Sequence, residues 1–187
     1  MHFTQQLENV GQRDKHLSKH FLGVFAADQI PLGKTGCCIV NTDPISKSGQ
    51  HWVCVFTGGD GKKNFYFDSY GLPPTHWNSH WAPFMSYIRS NGDFQQETSD
   101  VCGDYCVYVL KKLCSMPTPD LQEVVKYFDE DDKKGNDVLV FDLIHKEFPR
   151  ILNDTDHELN VDYDNFKKNI KSRQQGSKPR RVLQLLD

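Results

Sequence analysis

The chain contains no apolar run of about 18 residues, so no segment reads as a membrane-spanning helix. It has no positively charged start leading into an apolar stretch, and hence no apparent secretory signal. Internal repeats are absent, as is any Cys-x2-Cys pair. The vicinal Cys37-Cys38 has no matching second pair, so six cysteines and eight histidines do not make a zinc pattern. The cysteines, at 37, 38, 54, 102, 106 and 114, lie in strand-like or helix-like apolar stretches, which favours reduced thiols over a disulfide scaffold. These absences point to an intracellular protein. A length of 187 residues, 37% of them hydrophobic and 25% charged, suits one globular domain.

Charge is distributed unevenly. Residues 167–187 hold seven Lys or Arg against Asp187, a net +6, which leaves residues 1–166 at −9 within a chain of net charge −3. The expected organisation is therefore one acidic domain over 1–166 and a basic tail over 167–187. Lys171, Arg173, Lys178, Arg180 and Arg181 are candidates for contacting nucleic-acid phosphate or acting as a nuclear import signal. A merely solvated tail fits them equally well.

The chemistry begins with two runs of β-favouring residues, 51–57 and 62–70, separated by Gly58-Gly59-Asp60-Gly61. They predict a hairpin. If those four residues form the loop, paired positions sum to 119 and His51 lies directly opposite Asp68, about 5 Å away on one face. A carboxylate there accepts the Nδ1 proton of the imidazole and leaves Nε2 as a base. A solvated cross-strand pair is the plainer alternative.

A third residue changes the balance. From Cys102 to Met116, Cys106, Val109, Leu110 and Leu113 recur at the spacing of one helical face, predicting a buried helix. A cysteine in its first turn lies beside unpaired N–H groups and the positive end of the helix dipole, which favour a reactive thiolate and can hold an oxyanion. Gly103 offers no side chain to obstruct that place, and Ser99-Asp100 are residues of the helix-capping kind. Alone, Cys102 would read as one more buried thiol, as Cys106 and Cys114 do.

Taken together, Phe21-Leu22-Gly23-Val24, Cys38-Ile39-Val40-Asn41-Thr42, Gly49-Gln50-His51-Trp52, Phe67-Asp68-Ser69-Tyr70-Gly71, Gln95-Gln96 and Ser99 through Cys106 resemble the adenain family of adenoviral endopeptidases. The likeness covers about residues 17–115. The SUMO-processing cysteine proteases, of the same clan, share His-Trp, an Asp on the next strand, Gln and Cys-Gly. The resemblance implies a papain-like α+β core, a central mixed sheet flanked by helices. It makes Cys102 the nucleophile, His51 the base and then acid, and Asp68 the orienter. It also implies an oxyanion donor from Gln95, or alternatively Gln96. Trp52 would wall a slot narrow enough to demand Gly in the substrate, with Gly103 beside it, and cleavage would follow Gly in Gly-Gly or Gly-Xaa-Gly sites. The expected role is maturation of viral or mobile-element capsid or core proteins, with removal of SUMO-like or ubiquitin-like modifiers as the alternative.

Asp68 stands where the adenoviral enzymes mostly carry Glu. No cysteine lies between Asp68 and Gln95, so a disulfide-linked peptide activator is not supported, while a non-covalent peptide or DNA stays open. The sequence requires no cofactor. Protein substrates, a monomer, and a place in the host nucleus, cytoplasm or virion are expected. A helix is predicted from about Thr4 to His20, with no role for His16 and His20. His76-Trp77 and His80-Trp81 are read as a loop and short helix packing the rim. Residues 129–136 are expected as an exposed loop, with helices ending near Phe128 and spanning about Asp137 to Phe148.

Overall fold

The computed structural model describes residues 4–59 and 61–149. The basic tail, with Lys171, Arg173, Lys178, Arg180 and Arg181, lies outside the described residues.

Five strands form one mixed sheet in the order β1-β2-β3-β4-β5: β1 (Phe21–Phe25), β2 (Gly36–Asn41), β3 (Trp52–Thr57), β4 (Phe65–Phe67) and β5 (Ile88–Arg89). The two outer pairings are parallel and the two inner ones antiparallel. Strands β2, β3 and β4 are buried almost throughout, which is why Cys-Cys-Ile-Val and Trp-Val-Cys-Val-Phe read as continuous apolar runs and not as alternations.

Each face has its own core. Cys37, Ile39, Trp52, Cys54, Phe56, Phe65 and Phe67 pack against the helical layer of α1 (Thr4–Arg13), α3 (Cys102–Ser115), α4 (Leu121–Val125) and α5 (Lys133–Glu147). Their neighbours Cys38, Val40, Val53, Val55 and Tyr66 pack on the opposite face against Trp81 and Phe84 of a 3-10 segment that follows α2 (Pro74–Trp77). The fold is thus α+β with a mixed sheet flanked by helices, as expected. Helix α3 is buried at every residue from Cys102 to Leu110, far beyond a single stripe, because α1, α4 and α5 cover the side turned away from the sheet.

Local chemistry shifts several boundaries. The first helix ends at Arg13, not His20, because the buried Asp14 Oδ1 accepts the amides of His16 and Leu17, both at 2.8 Å, and starts a separate 3-10 turn. Helix α5 begins at Lys133, four residues early, where Asp132 Oδ1 accepts the Gly135 amide at 3.1 Å as a side-chain cap. The expected exposed loop shrinks to a 3-10 turn over Glu130–Asp132.

Gly71 closes the turn after β4 with a left-handed φ of 70°, its N–H donating to the Asp68 carbonyl at 3.0 Å. A Cβ there would lie 2.6 Å from the Asn91 carbonyl oxygen, which is backbone and cannot swing aside. Gly71→Ala should therefore destabilise the protein by about 2 kcal/mol or more. Urea unfolding checks this; a loss below about 0.5 kcal/mol, the level of an ordinary surface change, would show that the turn is not under this constraint.

Candidate active site

Strand β3 begins one residue after His51 and β4 ends one residue before Asp68, so both side chains stand just past the same end of the sheet. Their register differs from the expected one. Cys54 pairs with Phe67, Val55 with Tyr66 and Phe56 with Phe65, so paired positions sum to 121. The connection is longer than four residues, its ends held by the Gly58 amide donating to Asn64 Oδ1 at 2.9 Å. A slip of two residues leaves every side chain on its original face. His51 and Asp68 become diagonal neighbours, still within reach for long side chains. The His51 carbonyl accepts the Thr42 amide at 2.9 Å, which continues the β2–β3 ladder and ties down the backbone of His51.

The two side chains meet at 2.8 Å, through Nε2 of His51 and Oδ1 of Asp68. This reverses the expected ring orientation, because a diagonal carboxylate meets the far end of the imidazole. Nδ1 is then the nitrogen left for Cys102, whose thiol acts with Asp68 to raise the pKa of the imidazole. Asp68 is fixed on all sides. Its Oδ1 also accepts the Tyr70 amide at 2.9 Å, and its Oδ2 accepts the Trp77 indole N–H at 2.7 Å. Trp77 is therefore no rim residue. Its ring lies nearly parallel to the imidazole at 5.0 Å between centroids, and that of Tyr70 does so at 4.6 Å. Aromatic faces so placed favour a charged imidazole.

His51 is 4% exposed, Asp68 1% and Cys102 3%. Burial alone would pull the His51 pKa down from 6.5, but the hydrogen bond to Asp68 and the interaction with Cys102, with their charges, lift it to about 9. The arrangement can hold an imidazolium at neutral pH.

Cys102 is the first residue of α3. The N-cap position falls on Val101, whose side chain makes no capping bond, and not on Ser99 or Asp100. Ser99 serves Gln95 instead: the fully buried Gln95 donates from Nε2 to the Ser99 carbonyl at 2.8 Å and accepts the Ser69 hydroxyl at Oε1, 2.6 Å away. A carbonyl partner demands a donor, which fixes the amide orientation and leaves a second Nε2 hydrogen to offer. Gln96 is half-buried, and its recorded bonds are through its backbone. Trp52 is buried in the α3-facing core, its indole N–H without a partner among the described residues, and Gly103 is buried beside Cys102.

Asp68-Ser69-Tyr70-Gly71 thus acts as a unit: orienter, clamp for Gln95, ring against His51, and turn. Ser69, Tyr70 and Trp77 escaped the reading of the sequence as roles. The contiguous motif was the available signal for the first two, whereas nothing local marked Trp77, nine residues from the carboxylate it holds.

No protein-family model matches this chain, and no curated protein matches it in sequence. Among solved structures it is similar to the crystal structure of the selenomethionine form of the ASFV pS273R protease, with 20% identity and a TM-score of 0.36. That likeness covers 52% of this chain and 40% of the other, so the chain spans less than half the length of that protein.

The raised pKa gives a direct expectation. His51 should titrate near 9, and the stability that its charged form contributes should be complete below about pH 6.5 and be lost as pH rises through about 9. NMR titration of the ring checks this. Asp68→Asn should bring the value down, and an unchanged midpoint in that variant would remove Asp68 as the cause.

Proposed function

We propose that this protein is a cysteine-type endopeptidase acting through Cys102, His51 and Asp68. The observation that carries the proposal is the buried His51 held at 2.8 Å by Asp68, with Cys102, the first residue of a helix, close enough to raise its pKa. The Cys102 thiolate attacks the peptide carbonyl carbon, forming a C–S bond and an oxyanion. The backbone N–H of Cys102 and the free Nε2 hydrogen of Gln95 receive that oxyanion. The His51 imidazolium gives its proton to the leaving amine as the C–N bond breaks, leaving a thioester. Neutral His51 then takes a proton from water, which attacks the thioester and releases the acid and the thiolate.

Cleavage after Gly, within Gly-Gly or Gly-Xaa-Gly sites, is proposed from the motif resemblance and from the place of Trp52 next to the base. The same resemblance supports protein substrates and a role in maturing viral or mobile-element capsid or core proteins. Asp68, in place of Glu, supports a second reading, removal of SUMO-like or ubiquitin-like modifiers. DNA binding by the tail and a non-covalent peptide activator belong to the first. No described helix is long and apolar enough to cross a membrane.

Alkylation resolved by peptide mass spectrometry tests the thiol. Burial pushes Cys38 up to about 12 and raises Cys106, while a thiol hydrogen bond with Cys114 and burial raise Cys37. If His51 activates Cys102, iodoacetamide should label Cys102 ahead even of the more exposed Cys114. His51→Ala should abolish that preference; equal labelling with and without His51 would leave no dyad and no protease. Specificity is read from peptides ending a cleavage site in Gly or Ala, beside a folded modifier with a Gly-Gly tail. Turnover of the Gly peptide but not the Ala peptide is expected. Turnover of the folded modifier alone would favour the second reading.

A further inference from the structure

The segment carrying Gln95, residues 90–101, contains neither helix nor strand. Such a loop places a side chain only as well as its anchors allow. Ser69 anchors it on one side, accepting the Phe94 and Gln95 amides at its carbonyl, 2.8 and 3.2 Å away. The other side is held by a buried group that takes no part in the chemistry described above.

Asp137, in the first turns of α5, is completely buried. Its Oδ2 accepts the Gln96 amide at 3.3 Å. Its Oδ1 lies 3.0 Å from the hydroxyl of Tyr105, which is also 3.0 Å from the Phe94 carbonyl oxygen. The adjacent Asn136 donates from Nδ2 to that same carbonyl at 3.1 Å. The Ser99 hydroxyl, which donates to the Gln96 carbonyl at 3.1 Å, is also within hydrogen-bonding reach of Asp137. Residues 94, 96 and 99, on both sides of Gln95, are therefore held by one cluster. Tyr105 belongs to the first turn of α3, three residues after Cys102, so the cluster ties the glutamine loop to the helix that bears the thiol.

A carboxylate is an expensive choice for this position. Burial pushes Asp137 up to about 6, against the hydrogen bonds from Ser99, Tyr105 and Gln96 and the charge of Lys133, whose ammonium pairs with Asp93. A neutral amide of the same shape would be easier to bury, but it would present a donor to one of the donors that Asp137 accepts. Groups perturbed in this way collect at functional sites.

We propose that Asp137 is a positioning residue for the oxyanion site, holding the Gln95 loop in register with Cys102 through the Gln96 amide and Tyr105, a role that rests on the acyl-transfer reading above. Two small probes meet the same thiol and separate this role from a structural one. Iodoacetamide forms a C–S bond at a saturated carbon and expels iodide, with no oxyanion. p-Nitrophenyl acetate acylates the thiol, releases p-nitrophenolate and passes through a tetrahedral oxyanion.

In the full chain, Asp137→Asn should alkylate at Cys102 within about twofold of the parent, with Tm at pH 7 unchanged or higher, while acylation slows by about tenfold or more. Gln95→Ala should slow acylation by up to about 100-fold. Gln96→Ala, which keeps its backbone N–H, should stay at the parent rate. The Asp137→Asn, Gln95→Ala double variant should be no slower than Gln95→Ala alone, because both act through one donor. Acylation unchanged in Asp137→Asn, a parallel loss of both rates with a lower Tm, or additive losses in the double variant would each overturn the proposal. If Asp137→Asn does not purify, Tyr105→Phe, which removes the hydroxyl shared with Phe94, decides on the same two rates. Failure of the acyl-transfer reading shows separately, as Cys102 alkylation in the parent that is indifferent to His51→Ala.

Discussion

The antiparallel pairing of β3 with β4 is the constraint on which the candidate site depends. Both strands stop at the same end of the sheet, one residue short of His51 and one short of Asp68. Inside the sheet these polar side chains would be buried in an apolar core without room for a partner from elsewhere, a placement that is costly unless every polar atom is satisfied. At the end of the strands they still share a face, yet they reach beyond the sheet to meet Cys102. The thiol arrives from the helical layer that covers the opposite face.

The turn that follows β4 converts this placement into rigidity. Gly71 bends the chain back toward Asn91, so that Ser69 can hold Gln95 while Tyr70 lies against His51. Trp77 closes the remaining acceptor of Asp68 from the layer on the other face. Charge-assisted hydrogen bonds of this kind are about twice as strong as neutral ones, and in a water-poor site they are strong enough to reverse the effect of burial on the imidazole.

Much of this was legible in the sequence, and the failures have physical causes. The pairing of His51 with Asp68 survived a register error because the slip was of two residues, and the side-chain period of a strand is also two. The ring orientation did not survive, since it depends on whether the carboxylate is directly opposite or diagonal. Gln95 was preferred over Gln96 from its spacing to Ser99, which is that of the SUMO-processing proteases; in the structure Gln95 is fully buried with both ends of its amide bonded, and Gln96 is half-buried. The capping role for Ser99 and Asp100 was read from residue type, which says nothing about competing partners; the N-cap position falls on Val101, and the Ser99 hydroxyl donates to the Gln96 carbonyl. Trp77 was hidden because a long-range hydrogen bond leaves no periodic trace. Asp14 and Asp132 moved helix boundaries through short-range bonds that periodicity does not register.

The thiol comes from the helical layer on one face of the sheet, while the imidazole, at the end of β3, is held through Asp68 by Trp77 from the layer on the other. Neither layer contains a complete site. Undocking of the α2 region would remove Trp77 from Asp68, and undocking of the α3 layer would remove Cys102 altogether. The assembled centre exists only in molecules whose two cores are formed at once, so its population falls with the undocking of either layer.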